Sequence, residues 1–348
     1  MGTHDEKILV TGATGMLGSR LIFDLLSSGY SVRAIYRDKN RINQFIDNIR
    51  FYDREATQPE NKVEWVKADM EDYFQLSDAL DNIGMVYHCA AMVSFQSSER
   101  NQMLNVNVKG TSNLINACIE KEVKKLCHVS SIAALGKGLN GDLVDESNSW
   151  IPEKRLSGYS ISKFHSEMEV WRGVNEGLDA VIVNPSVILG PGDWKNGSSS
   201  FFGQIAKGLG FYPVGGTGFV DVRDVSKAMM LLCSDDNWEK AKNQKYLLNA
   251  ANLLYRDIFT SIAKSIKAKE PSVKISKNML SLAWKLAWLW GKISNTKPLI
   301  TRDSVGNSSA VQRYDGSKIT REFGLTYTPI EETIHYIGNI FLTFNHPY

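Results

Sequence analysis

Apolar positions in the first half of the chain fall into short runs separated by stretches with apolar residues every three to four positions. KILVTG (7–12), SVRAIY (31–36), VEWVKA (63–68), GMVYHCA (84–90), KKLCHVSS (124–131) and LDAVIVNP (178–185) read as strands. Between the first two, Met16 to Ser28 carries Leu17, Leu21 and Leu25 at helical spacing. QLSDALDNI, NVKGTSNLINACIEKE and YSISKFHSEMEVWRGVNEG follow the same period. Apolar strands alternating with amphipathic helices predict an α/β doubly wound parallel sheet covered on both faces. Ligands of such a sheet sit beyond the carboxyl ends of its strands.

The pattern changes after Pro185. SVILGPGDWKNGSSS reads as a long loop; PVGGTGFVDVRDVSKAMMLLC returns to a strand and a helix, and QKYLLNA is one more strand. From Tyr255 onward the chain reads as helices and loops. These shifts divide it into a dinucleotide-binding domain over 1–185, rejoined by 218–250, and a smaller, mostly helical substrate lobe over 186–217 and 251–348.

Composition narrows the picture. The 348 residues are 43% hydrophobic and 22% charged, as in soluble globular proteins. A net charge of +2 supplies no basic stripe for nucleic acid. Cys89, Cys118, Cys127 and Cys233 have no C-x-x-C or metal-ligand spacing, so they read as core thiols and no metal is expected. The start, MGTHDEKILVTG, has no basic region followed by an apolar stretch, and a cytoplasmic protein is the expectation.

Candidate chemistry begins where the first strand runs into TGATGMLGSRL. Gly12, Gly15 and Gly18 follow G-x-x-G-x-x-G between a strand and a helix. That order suits a tight turn, close approach of the backbone to a pyrophosphate, and close helix packing. Thr14, Met16 and Leu17 complete the expected loop. Arg37 follows Tyr36 at the end of the second strand, where NAD would favour an acid. A guanidinium there suits a 2′-phosphate and points to NADP over NAD, although a solvated Arg at a strand end is common. Asp69, followed by Met70, ends the third strand where a carboxylate can accept from the adenine amino group.

Two Tyr-x-x-x-Lys sequences compete for the proton-transfer role. Tyr314 is followed by Asp-Gly-Ser, which breaks a helix. Tyr159 and Lys163 share one face of a helix that follows VSSIAALG. Tyr159 is therefore the expected proton donor or acceptor, with Lys163 and the nicotinium charge of the cofactor together lowering a phenol pKa otherwise near 10. Ser131, at the carboxyl edge of the sheet, is expected to hold a carbonyl oxygen.

TGATGMLG, Asp69, HCAA (88–91), NVKGT (107–111), VSSIAALG, YSISK and NPSVILGPG together resemble the extended short-chain dehydrogenase/reductases over nearly the whole chain. The resemblance implies a Rossmann fold and a catalytic set of Ser131, Tyr159 and Lys163, with Asn107 helping to hold the site. It implies cofactor contacts from Ala90, Ala91, Lys163, Pro185, Ser186 and Val187, and homodimers as the usual assembly. FVDVRDV (219–225) and YDGSKITREFG (314–324) look like C-terminal landmarks of the family, which gives the second Tyr-x-x-x-Lys a structural role. NPSVILGPG and Arg37 are closest to the dihydroflavonol reductase, cinnamoyl-CoA reductase and 3-beta-hydroxysteroid dehydrogenase branch. That implies an oxidoreductase for a carbonyl or secondary alcohol on a largely apolar molecule. Ile132-Ala133 after Ser131 argues against 4,6-dehydration, whereas a nucleotide-sugar epimerase retaining NAD stays open.

On the substrate side, Ser94, Phe95, Trp194 and Arg223 stand on loops expected beyond the strand ends, and Arg223 and Arg302 could face a diphosphate. NMLSLAWKLAWLWGKI (278–293) gathers Trp284, Trp288 and Trp290 around Lys285. It is too short to span a bilayer. It reads as a packed lobe helix, the wall of an apolar pocket, or a shallow membrane contact.

Overall fold

The computed structural model describes residues 7–94, 96–136, 143–148, 150, 156–275 and 310–345. Its strands are β1 (Lys7–Thr11), β2 (Val32–Tyr36), β3 (Glu64–Lys67), β4 (Ile83–His88), β5 (Lys125–Val129), β6 (Leu143–Val144) and β7 (Ala180–Pro185). They continue as β8 (Val187–Leu189), β9 (Phe211–Pro213), β10 (Gly216–Asp221), β11 (Gln244–Leu248), β12 (Ala251–Leu254), β13 (Val273–Ile275) and β14 (Arg313–Tyr314). The first helices are α1 (Met16–Ser27), α2 (Ile42–Arg50), α3 (Tyr73–Ala79), α4 (Arg100–Leu104), α5 (Gly110–Glu120) and α6 (Gly158–Asn175). Beyond them lie α7 (Ser200–Ala206), α8 (Val222–Cys233), α9 (Asp235–Ala241), α10 (Tyr255–Ser265), α11 (Ser317–Phe323) and α12 (Ile330–Asn345).

Seven parallel strands form the main sheet in the order β11-β7-β5-β4-β1-β2-β3. Alternate residues of each strand feed opposite cores. Ile8 and Val10 pack with Leu21 and Leu25 of α1 and Val225 and Met229 of α8. Leu9, Val86, Leu126 and Ile182 pack with Leu114 of α5 and Val170 of α6. Burial on both faces explains why these strands read as unbroken apolar runs. The order switches beside β1, so the ends of β1, β4, β5 and β7 enclose the crevice.

The second half differs from the pattern in two places. Val187–Leu189, inside the expected loop, is strand β8, and β10 pairs with β8 and β12 in a separate three-stranded sheet. The return to the main sheet is made by α8 and β11 instead. Strand β10 joins the two parts by alternation: Val220 enters the α1–α8 core, while Phe219 enters a lobe core with Phe202, Ile258, Ile334 and Phe341. Residues 276–309, which include the Trp-rich run and Arg302, lie outside the described residues.

Candidate active site

The glycine loop is shaped by steric necessity. Gly12 leaves β1 at φ +68°, and a Cβ there would lie 2.7 Å from the backbone nitrogen of Ala90. A Cβ on Gly18 would come within 2.3 Å of the Gly12 carbonyl, so α1 lies directly on the turn. Among the described residues, a Cβ on Gly15 would meet only the Gly12 carbonyl, at 3.3 Å, and no side chain caps the start of α1. The first-turn amides are thus presented to a cradle that a side chain would fill, which fits a dinucleotide pyrophosphate. Thr14 offers its carbonyl to Asn48 Nδ2 at 3.3 Å, Leu17 packs on the core, and Met16 lies against Gly190 and Gly192.

The adenosine side is marked by Arg37, exposed immediately after β2, and Asp69, half-buried just past β3. Asp69 Oδ1 accepts from the Glu71 amide at 3.1 Å. Met70 follows Asp69 and is buried. Its side chain sits in the core against Gly110, and its carbonyl accepts from Asn113. Ala90 donates its amide to Thr11 Oγ1 at 3.0 Å, and Ala91 is exposed beside it. Pro185 is buried at the end of β7, Val187 opens β8, and the buried Ser186 Oγ has no partner among the described residues.

Ser131, Tyr159 and Lys163 come together where β5 ends. Ser131 caps a short helical turn, accepting from the Ala133 amide at 3.1 Å, and hydrogen-bonds Tyr159. Ser157 caps α6 by accepting from the Ser160 amide, which starts the helix one residue before Tyr159. Ser160 Oγ then donates to the Ala133 carbonyl at 2.6 Å, fastening the first turn of α6 to the Ser131 turn. Lys163, one turn on, is buried and donates to the Val129 carbonyl at 2.8 Å. Burial pushes Lys163 down to about 8, opposed by Glu167 and Cys89. In the protein alone, burial raises the Tyr159 pKa and the Ser131 hydrogen bond only partly offsets this. With its pKa raised, Tyr159 is held as the neutral phenol.

Asn107 lies in a π-turn over Asn105–Lys109. Its Oδ1 accepts from the Met92 amide at 2.7 Å, and its Nδ2 donates to the Met92 carbonyl and to Ser162 Oγ. Ser162 in turn donates to the Tyr159 carbonyl at 2.8 Å, so Asn107 braces the loop after β4 against α6.

Beneath these groups runs a polar chain that the sequence did not reveal as such. His88 bridges Thr11 Oγ1 at 2.8 Å and Thr111 Oγ1 at 2.9 Å. Thr111 donates to the Asn107 carbonyl, so it accepts from His88 Nε2–H, which leaves Nδ1 to accept from Thr11. Burial pushes His88 down to about 3, and the ring is neutral. Ser166 and the buried carboxylate of Glu167 were also not anticipated. The only sequence signal was Glu167 standing at the next i, i+4 step after Tyr159 and Lys163.

The substrate-side expectations fare differently. Ser94 is buried and donates to Glu99 at 2.6 Å, while Phe95 lies outside the described residues. Trp194 is engaged by Phe51, Phe202 and Phe341 in an aromatic cluster between α2, α7 and α12. Arg223 grips Asp221 through two guanidinium nitrogens and lies 4.3 Å over the Tyr336 ring. The second Tyr-x-x-x-Lys is structural. Tyr314 sits in β14, and Lys318 on α11 donates to Gln244 and to the Lys245 carbonyl of β11. Among the described residues no cluster could hold a metal ion, and no helix is long and apolar enough to cross a membrane.

A strand-turn-helix cradle and a Ser-Tyr-Lys group at the carboxyl edge of one parallel sheet define a nucleotide-dependent redox enzyme. Residues 8–246 match the model of the NAD dependent epimerase/dehydratase family, and the chain belongs to that family, whose members are NAD(P)-dependent enzymes acting at CH–OH carbons. It is 28% identical over 335 residues to a Synechocystis protein provisionally named dihydroflavonol 4-reductase, covering 94% of this chain and 92% of the relative. It is 30% identical over 270 residues to cinnamoyl-CoA reductase 1 of Petunia hybrida, covering 74% and 77%. Among solved structures, that of gox2253 superposes with a TM-score of 0.78 over 98% of both chains at 27% identity.

Proposed function

We propose that the chain is an NADP-preferring oxidoreductase that moves hydride between nicotinamide and a carbonyl or secondary alcohol of a medium-sized, largely apolar substrate. The observation that carries this reading is the hydrogen-bonded Ser131–Tyr159 pair beside buried Lys163 at the end of β5. NADP would be held by the glycine turn, by Arg37 at its 2′-phosphate, by Asp69 at the adenine, and by Lys163 and the Pro185–Val187 backbone near the nicotinamide. The bound cofactor supplies or takes the hydride. Ser131 holds the substrate oxygen, Tyr159 gives or takes its proton, and Lys163 favours the phenolate as the proton leaves. The apolar substrate class is supported by the reductases it resembles and by Arg223, whose charge is taken up by Asp221. Incubation with NADPH and dihydroquercetin or a cinnamoyl-CoA tests it, read as loss of nicotinamide absorbance, and incubation with UDP-glucose, read as formation of its epimer. Turnover of either apolar carbonyl supports the proposal; isomerisation of UDP-glucose with NAD retained would replace it with an epimerase.

Two further outcomes follow. Arg37→Ala should weaken NADPH by about 10- to 100-fold, the loss of a charge-assisted contact, and leave NADH affinity unchanged in fluorescence titrations. Equal weakening of both would make Arg37 a general surface charge. Carbonyl reduction should decline above pH about 8 as the Lys163 ammonium is lost, while Tyr159, raised by burial, stays protonated. A rate profile flat well beyond that range would remove Lys163 from the mechanism.

A further inference from the structure

Residues 159, 163 and 167 form one stripe along α6, each a turn from the next. The stripe grips three consecutive residues at the end of β5. Tyr159 bonds Ser131, Lys163 bonds the Val129 carbonyl, and Glu167 Oε2 accepts from Ser130 Oγ at 2.5 Å. The same oxygen accepts from Asn184 Nδ2 at 2.8 Å, and that amide also donates to the Ser131 carbonyl at 3.1 Å. Glu167 is 2% exposed. One buried carboxylate thus ties α6 to the ends of both β5 and β7, the edges that flank the expected nicotinamide position.

We propose that Glu167 is a positioning residue for the hydride-transfer site, fixing Ser131 through Asn184 and Ser130 and providing the buried counter-charge for Lys163. The inference rests on the assignment of Ser131, Tyr159 and Lys163 above. A buried carboxylate needs balancing charge and hydrogen bonds. Around Glu167 these come from Lys163 on its own helix, Lys245 Nζ of β11 at 3.9 Å, Ser130, Asn184 and Trp171 Nε1 at 3.5 Å. Lys163 itself faces Glu167 together with His88, His128 and Cys89, all held neutral by burial. Of the two neighbours that favour the Lys163 ammonium, Glu167 acts more strongly than Cys89, and a scaffold role alone would not tie it to that titration.

The test uses full-length protein labelled with ¹³C at lysine Cε, with the Lys163 resonance assigned by its loss in Lys163→Arg. In the wild type Lys163 should titrate at about 8. Glu167→Gln keeps the length but removes the charge, and the midpoint should fall by roughly 0.5–1 pH unit, with the alkaline limb of NADPH-dependent dihydroquercetin reduction moving equally. Glu167→Asp keeps the charge on a shorter arm, so the titration should hold while kcat drops about 10-fold at unchanged KM. A folded Glu167→Gln protein whose Lys163 titrates as in the wild type overturns the proposal. If that variant does not fold, Glu167→Asp with undiminished kcat overturns it. The titration needs no turnover, so a wild type inactive on dihydroquercetin would count against the proposed substrate class and leave this result standing.

Discussion

Tyr159→Phe should reduce turnover by about 100- to 10,000-fold, the usual span for removing a proton-transfer group, while NADPH affinity stays within a factor of ~3. The ring fills the same space, so α6 and its Ser157 cap are undisturbed. Only the hydroxyl that meets Ser131 is lost. Steady-state rates beside nucleotide titrations separate the two effects. Near-normal turnover in this variant would show that another group carries the proton. Parallel loss of nucleotide binding would show instead that Tyr159 holds the loop in shape.

Gly12→Ala should act at the opposite end of the site. At φ +68° an alanine is strained, and its methyl would overlap the Ala90 amide and the Cys89 carbonyl carbon. The Ala90 amide is bonded to Thr11, and Thr11 to His88, so the displacement would be transmitted into the buried polar chain. A loss of about 2–4 kcal/mol in stability is expected, with nucleotide affinity falling ~100-fold or more as the first-turn amides of α1 are moved. Thermal denaturation with and without NADPH reads both: the midpoint should fall, and most of the stabilisation by nucleotide should disappear. A variant that kept full stabilisation by NADPH would place the pyrophosphate elsewhere.

Much of this site was legible in the sequence because its signals are local. Gly12, Gly15 and Gly18 mark a turn within seven residues, and Tyr159 with Lys163 fall on one helix face by spacing alone. The parallel sheet was legible because its strands are buried on both sides and carry unbroken apolar runs. Long-range partners were not. Nothing in FVDVRDV says that Asp221 takes Arg223 for itself; that depends on β10 turning directly into α8 with Asp221 as its cap. Met70 looked like a neighbour of Asp69, but the close approach of Gly110 in α5 draws its side chain into the core. Trp194 stood on a Gly-rich loop, yet Phe51 and Phe341, distant in sequence, fix its ring. Three-residue β8 is too short for periodicity to register. Glu167 shows the limit most clearly. A Glu on a helix reads as solvent-facing until Ser130 and Asn184, from two other strands, are seen to enclose it.

We propose that this crevice takes NADP and exchanges it at every turnover. The most direct measurement is to denature the purified protein, identify any nucleotide released, and titrate nucleotide-free protein with NADPH and NADH. Little retained nucleotide, free exchange, and tighter binding of NADPH through Arg37 are expected. NAD carried through purification, with no gain from the 2′-phosphate, would contradict it and point to an enzyme that keeps its cofactor and returns the hydride.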